Sequence, residues 1–99
     1  MVYPAAMTPS LSQDLASGAL AETLADIAEE AAAVILPYWR NGVVAEAKAD
    51  DSPVPLADRE AEAVILSRLR ELWPAVPAVA EEDCAANGLP DAGPLFWLI

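Results

Sequence analysis

The chain contains no histidine, a single cysteine and five basic residues, and each scarcity closes off a class of chemistry. Without histidine, neither a Ser-His-Asp triad nor a Cys/His zinc site can be assembled within these 99 residues. Cys84 has no second cysteine with which to form an intrachain disulfide, which points to a reducing compartment, and the chain reads as cytoplasmic. Five Lys and Arg against sixteen Asp and Glu give a formal charge of -11, so a nucleic-acid backbone would meet almost nothing able to neutralise it. Nucleic acid is therefore not expected as a partner. Nor does any apolar run reach the ~20 residues that a transmembrane segment takes, and Met1 to Ser10 lacks the basic start of a secretory signal.

What is present is apolar and acidic. Hydrophobic residues make up 56% of the chain and charged residues 21%, a balance that favours a folded core over a disordered chain. The length suits one modest domain or part of one. The surplus carboxylates could solvate a surface or gather around a hard cation, and composition alone favours the surface.

Residues 1–12 carry Pro4 and Pro9 without periodicity and read as a loose, flexible tail ahead of one domain over residues 13–99. From Gln13 to Leu36 the apolar positions Leu20, Leu24, Ile27, Ala31, Val34 and Ile35, with Tyr38 beyond, recur at spacings of three and four. That spacing predicts a long amphipathic helix. Pro37 cannot donate to the carbonyl of Ala33, so the helix should kink or close there, with Asn41-Gly42 as a stop. The partly β-branched Val43 to Lys48 predicts a short strand, and Asp50-Asp51-Ser52-Pro53 a turn. A second helix is expected from Asp58 or Arg59 to about Leu72, with Ala61, Ile65, Leu69 and Leu72 on one face and Asp58 capping its first turn. Val76 to Ala80 and Leu95 to Ile99 predict two buried strands across the polar stretch Glu81 to Pro94. The order helix, strand, helix, strand, strand describes an α+β or layered α/β unit. Because the apolar run ending at Ile99 has no turn to finish it, the domain is expected to be truncated there.

Carboxylates cluster at two edges of these elements: Asp50, Asp51 and Asp58 around the Ser-Pro turn, and Glu81, Glu82 and Asp83 after a strand. Strand ends and helix starts form ligand crevices in layered α/β architectures, and Mg²⁺ is held there by a few carboxylates, waters and substrate phosphate oxygens. Taken separately, each cluster has a plainer explanation. Asp58 can be a helix cap, Asp50 and Asp51 turn residues, and Glu81 with Glu82 a solvated charge run.

The pattern Lys48-Ala-Asp50-Asp51-Ser52-Pro53-Val54-Pro55-Leu56-Ala57-Asp58, followed after one helix by Val79-Ala80-Glu81-Glu82-Asp83, gives a reason to bring them together. It closely resembles the amino-terminal motifs of the inositol-monophosphatase superfamily, and its Lys-x-Asp-x-Ser-Pro-Val-x-x-Ala-Asp form is most similar to the CysQ-type 3'(2'),5'-bisphosphate nucleotidases. The resemblance runs from about Leu24 to Ile99. It implies the amino-terminal part of an inositol-monophosphatase-like (sugar phosphatase) fold, with Mg²⁺ as cofactor. It places Glu81 as a magnesium ligand at the substrate site, Glu82 beside metal-bound water, and Asp58 where the attacking water is positioned and activated. Lys48 would balance the packed carboxylates, although a lysine at a strand edge is just as readily a solvated one. Pro55 stands where family members commonly carry Thr, which removes a hydroxyl from the loop.

The implied substrate is a small phosphorylated molecule. Adenosine 3',5'-bisphosphate, cleaved to AMP and phosphate, leads, and inositol monophosphate or another sugar or polyol phosphate is the alternative. A homodimer of the full-length protein is left open. The resemblance also implies an Asp-Pro-x-Asp-Gly-Thr segment and a later Trp-Asp motif beyond Ile99, so this chain alone is expected to bind magnesium weakly and to catalyse nothing. The rival from a different class is a small acidic helical module that docks its Leu/Ile/Val faces on a partner without catalysis.

Overall fold

Helical periodicity carries most of the fold. The computed structural model describes residues 9–41 and 53–99. In chain order their elements are α1 (Pro9–Ser17), α2 (Ala19–Arg40), α3 (Pro53–Leu72), β1 (Ala78–Val79), α4 (Glu81–Asn87) and β2 (Trp97–Leu98). The strand expected over Val43 to Lys48, and residues 50–52 of the expected turn, lie outside the described residues.

The single long helix expected from Gln13 is two helices. Gly18 sits at φ +90, a left-handed conformation that glycine adopts without a Cβ penalty, and there the chain bends. Ser17 Oγ accepts from the Ala19 N–H at 3.3 Å and donates to the Asp14 carbonyl at 3.3 Å, supplementing the interrupted backbone ladder. Residues 9–12, read from sequence as tail, belong to α1, and Leu11 is only 2% exposed. Its apolar side chain joins Leu20 and Val76 in a buried cluster bordered by Leu24, Trp73, Leu95 and Trp97. Burial of the Leu11 side chain ties α1 to the core.

Three prolines bear on the expected helix limits. Pro37 lies in the last stretch of α2, which runs on to Arg40 and closes with the Asn41 N–H on the Pro37 carbonyl at 3.0 Å. Near a helix end the loss of one ladder bond removes little. α3 starts at Pro53, more than a full turn before Asp58, so Asp58 is not its N-cap. Pro53 and Pro55 fall among the first four helical N–H positions, which have no intrahelical acceptor, and a missing donor costs nothing there.

α2 packs along α3, and of its positions picked out by periodicity Leu20, Ile27 and Ala31 are buried, Leu24, Val34 and Tyr38 are half-buried and Ile35 is exposed. On α3 the buried face is turned from the expected one, with Ala57, Glu62, Leu66 and Leu69 inside while Leu72 is exposed. Arg68 Nε meets Glu30 Oε2 at 3.2 Å across the two helices. Both expected strands shrink to two residues each and pair in parallel, Ala78 with Trp97 and Val79 with Leu98. The ladder donates from Trp97 N–H to the Pro77 carbonyl at 2.8 Å and from Ile99 N–H to the Val79 carbonyl at 2.9 Å.

Trp97 touches both buried clusters, and its ring lies 5.3 Å from that of Trp73 at 46°. The described residues are thus mostly helical with a small two-stranded sheet, as fits a part of an α+β domain. Among them no helix is long and apolar enough to cross a membrane.

Candidate active site

The stretch after β1, expected from sequence to be a polar loop, opens with α4. Its first turn is Glu81, Glu82 and Asp83, and its stop is Gly88 at φ +82. Acids at the start, small helix formers behind them and a glycine at the end are ordinary helix signals, and they were there to be read in Glu81 to Gly88.

The N-cap position of α4 is Ala80, which offers no side-chain acceptor. The acceptor comes instead from α3. Glu62 Oε1 receives the Glu82 N–H and Glu62 Oε2 the Asp83 N–H, both at 2.8 Å. Charge-assisted bonds of this kind compensate for taking a carboxylate out of water, and Glu62 is only 9% exposed. A second tie lies two turns further along α3, where Arg70 Nη2 meets Asp83 Oδ2 at 3.4 Å. Asn87 Nδ2 donates to the other oxygen of Asp83 at 3.1 Å. α4 is therefore held to α3 at its amino-terminal turn.

That docking determines where the residues singled out in the sequence fall. Asp58 and Glu81 are both exposed, and both line one cavity of about 220 Å³ together with Glu62, Ile65, Glu82 and Ile99. Glu82 is half-buried, with its backbone N–H already engaged by Glu62. Lys48 lies outside the described residues. With Asp58 a turn inside α3, any stabilisation of its charge by the helix dipole is weaker than a capping position would give, because that field fades beyond the first turn.

A larger cavity of about 600 Å³ is lined by Arg59, Ser67, Arg70, Glu82, Asp83 and Asn87 among others. Size does not make it the better candidate. Its groups are largely spent on each other, through Arg70 with Asp83 and Asn87 with Asp83, whereas Asp58 and Glu81 face the smaller cavity without such a cation. Among the described residues no three His, Cys, Asp or Glu side chains converge in a manner that could hold a metal ion.

Apart from this site, Tyr38 and Glu60 line a cavity of about 380 Å³ between α2 and α3. Partial desolvation raises the pKa of the phenol above its usual 10.0, with further contributions from its hydrogen bond to Glu60 and from the Glu60 charge.

Glu62 was missed by the sequence reading, which looked for carboxylates at loops. Its signal is positional. It follows Asp58 by four residues and precedes Leu66 by four, which puts an acid in line with the buried stripe of a helix.

Asp58 on α3 and Glu81 at the head of α4 thus share one cavity, and the comparisons with known proteins indicate a phosphatase family. The model of the inositol monophosphatase family matches residues 18–99, and the chain belongs to this family. One similar curated protein is the 3'(2'),5'-bisphosphate nucleotidase CysQ of Salmonella typhimurium, 44% identical over 52 residues. The aligned stretch covers 52% of this chain and 21% of that protein's length. No solved structure gives a significant match.

Proposed function

We propose that the chain is the amino-terminal portion of a magnesium-dependent phosphomonoesterase, and that the whole protein is a 3'(2'),5'-bisphosphate nucleotidase converting adenosine 3',5'-bisphosphate to AMP and phosphate. The observation that carries this reading is the meeting of Asp58 and Glu81 on one cavity, in a chain whose family model matches residues 18–99. The nucleotide substrate is favoured by the 44% identity to the CysQ nucleotidase over 52 residues.

The residues fit magnesium in kind. It is a hard cation that takes oxygen ligands and is commonly held by one or two carboxylates, with waters and substrate phosphate oxygens completing the shell. Glu81, exposed on the cavity, would be the direct ligand. Bound there, the metal supplies charge neutralisation for the phosphoryl oxygens and lowers the pKa of water. Asp58 orients the attacking water and accepts its proton, as a carboxylate within reach of a nucleophile can. The water oxygen bonds to phosphorus, the ester P–O bond breaks, and the freed alkoxide oxygen takes up a proton as the nucleoside hydroxyl. Glu82 follows Glu81 in the chain, where its carboxylate could accept from bound water, and the family resemblance would give Lys48 the role of balancing the negative charge.

The test is phosphate release by the full-length protein from adenosine 3',5'-bisphosphate and from inositol monophosphate, each with Mg²⁺ and with EDTA. Metal-dependent cleavage of the bisphosphate, well above that of the inositol phosphate, is expected. Preference for inositol phosphate would move the assignment to a polyol phosphatase, the reading suggested by the family's own description. Undiminished cleavage in EDTA would overturn the magnesium dependence, and no cleavage of either substrate would overturn the phosphatase and leave the non-catalytic interaction module.

A further inference from the structure

Among the described residues Glu62 is a buried charged side chain, 9% exposed, and it spends both carboxylate oxygens on the N–H groups of Glu82 and Asp83. Satisfying those two donors does not require a residue from another helix. Ala80, at φ -134 and ψ 146, has the extended geometry from which a local Ser or Asp would cap the same turn. The chain uses a distant acid instead, one helical turn after Asp58. Glu81 thus lies between Ala80, 1% exposed and locked in the core, and an amide held by α3. The direction in which Glu81 leaves β1 is set relative to α3, the helix that carries Asp58.

We propose that Glu62 is a positioning residue, whose bonds to the first turn of α4 hold Glu81, as metal ligand, at the placement relative to Asp58 that attack by an activated water requires. This inference rests on the reading of Asp58 and Glu81 as a magnesium phosphatase site. Arg70 ties the same two helices, but at 3.4 Å and with its side chain 55% exposed it is the looser and more screened contact. Glu62 is the stiffer link, because its two bonds are short, out of water and made to backbone.

The experiment compares the full-length protein with Glu62→Gln, with the double variant Glu62→Gln/Ala80→Ser, and with Glu81→Gln. Magnesium binding is measured by calorimetry in the absence of substrate, alongside thermal unfolding in EDTA and hydrogen exchange over residues 80–84. Glu62→Gln keeps the side-chain volume but places an amide where two N–H donors need acceptors. Its magnesium dissociation constant should rise about 10- to 100-fold, the range for groups that orient a metal ligand. Exchange over residues 80–84 should quicken, and the magnesium concentration for half-maximal turnover should rise more than kcat falls.

The added Ser supplies a local cap, so the double variant recovers stability without recovering the tie to α3. Magnesium binding still weaker by tenfold or more in the double variant supports positioning, and the comparison holds even if Glu62→Gln alone fails to fold. Binding within about twofold of the parent, in either folded variant, would show that Glu62 serves stability alone and overturn the proposal. The two levels of inference separate through Glu81→Gln. Unchanged magnesium binding and turnover there would remove the site itself, whereas their loss together with normal binding in the Glu62 variants would remove only the role of Glu62.

Discussion

Asp58 on α3 and Glu81 at the head of α4 line the same 220 Å³ cavity, though β1 and most of α3 intervene between them in the chain. This juxtaposition makes the two acids unequal partners in a prediction. Glu81→Gln removes a direct metal ligand in the proposed mechanism, and turnover at subsaturating Mg²⁺ should fall by more than the roughly 10- to 100-fold typical of outer-shell changes. Asp58→Asn should lower kcat by about 10²- to 10⁴-fold, the usual worth of a general base, with a smaller effect on magnesium affinity. Glu29→Gln, on an exposed position of α2, should leave both unchanged. Steady-state kinetics of the three full-length variants across a magnesium series checks the pattern, and equal losses in all three would count against the site.

Tyr38 should show a pH dependence unrelated to catalysis. Desolvation, the hydrogen bond to Glu60 and the Glu60 charge all favour the neutral phenol and raise its pKa above 10.0. Folding then carries a contribution that is complete below the unfolded pKa and is lost as pH rises through the folded one, because the unfolded chain gives up the proton first. Stability should therefore decline in the alkaline range above pH 10.0. In Glu60→Gln the decline should be smaller and the tyrosinate should form at lower pH. A difference titration against Tyr38→Phe isolates this group, and an unchanged midpoint in Glu60→Gln would refute the pairing.

The two long helices were legible because their signals repeat. Leu20, Ile27 and Ala31 recur often enough for the core-facing stripe of α2 to outvote any local exception. The failures lie where one residue decides. Gly18 broke a helix whose apolar spacing ran straight through it, and Pro53 and Pro55 fell at helix positions where proline costs nothing. Asp58 and Glu81 stood out through their motif, whereas Glu62 did not, since a lone acid inside an amphipathic pattern reads as solvated until a packed partner is seen. Long-range partnership is what a sequence pattern carries least.

Core and surface contacts should separate sharply in stability measurements. Leu66 is 6% exposed and packs with Ala78, Ala80 and Trp97, so Leu66→Ala should cost about 2–5 kcal/mol through lost transfer and a cavity. The Arg68 to Glu30 pair also links α2 with α3, at 3.2 Å, yet both side chains remain in water. Arg68→Ala should cost no more than ~1 kcal/mol, since exposed pairs are screened and hold long side chains at an entropic expense. Denaturant unfolding of the two variants measures the contrast, and a larger loss from Arg68→Ala than from Leu66→Ala would contradict the packing described here.

Gly18 gives the most direct test of how the amino-terminal helix is placed. An added Cβ would meet nothing within 4 Å, so any penalty in Gly18→Ala comes from the backbone at φ +90 and not from a clash. That penalty is about 1–2 kcal/mol for an L-residue held in the left-handed region. Alanine also favours a continuous helix from α1 into α2, which would swing Leu11 away from Leu20 and Val76. Both effects act in one direction. Gly18→Ala should therefore lower stability by at least ~1 kcal/mol and raise hydrogen exchange across residues 9–17, while Gly18→Asn, which tolerates the left-handed conformation better, should lose less. Stabilisation by Gly18→Ala with protected amides across α1 would mean that the bend is dispensable and that Leu11 is buried by some other route.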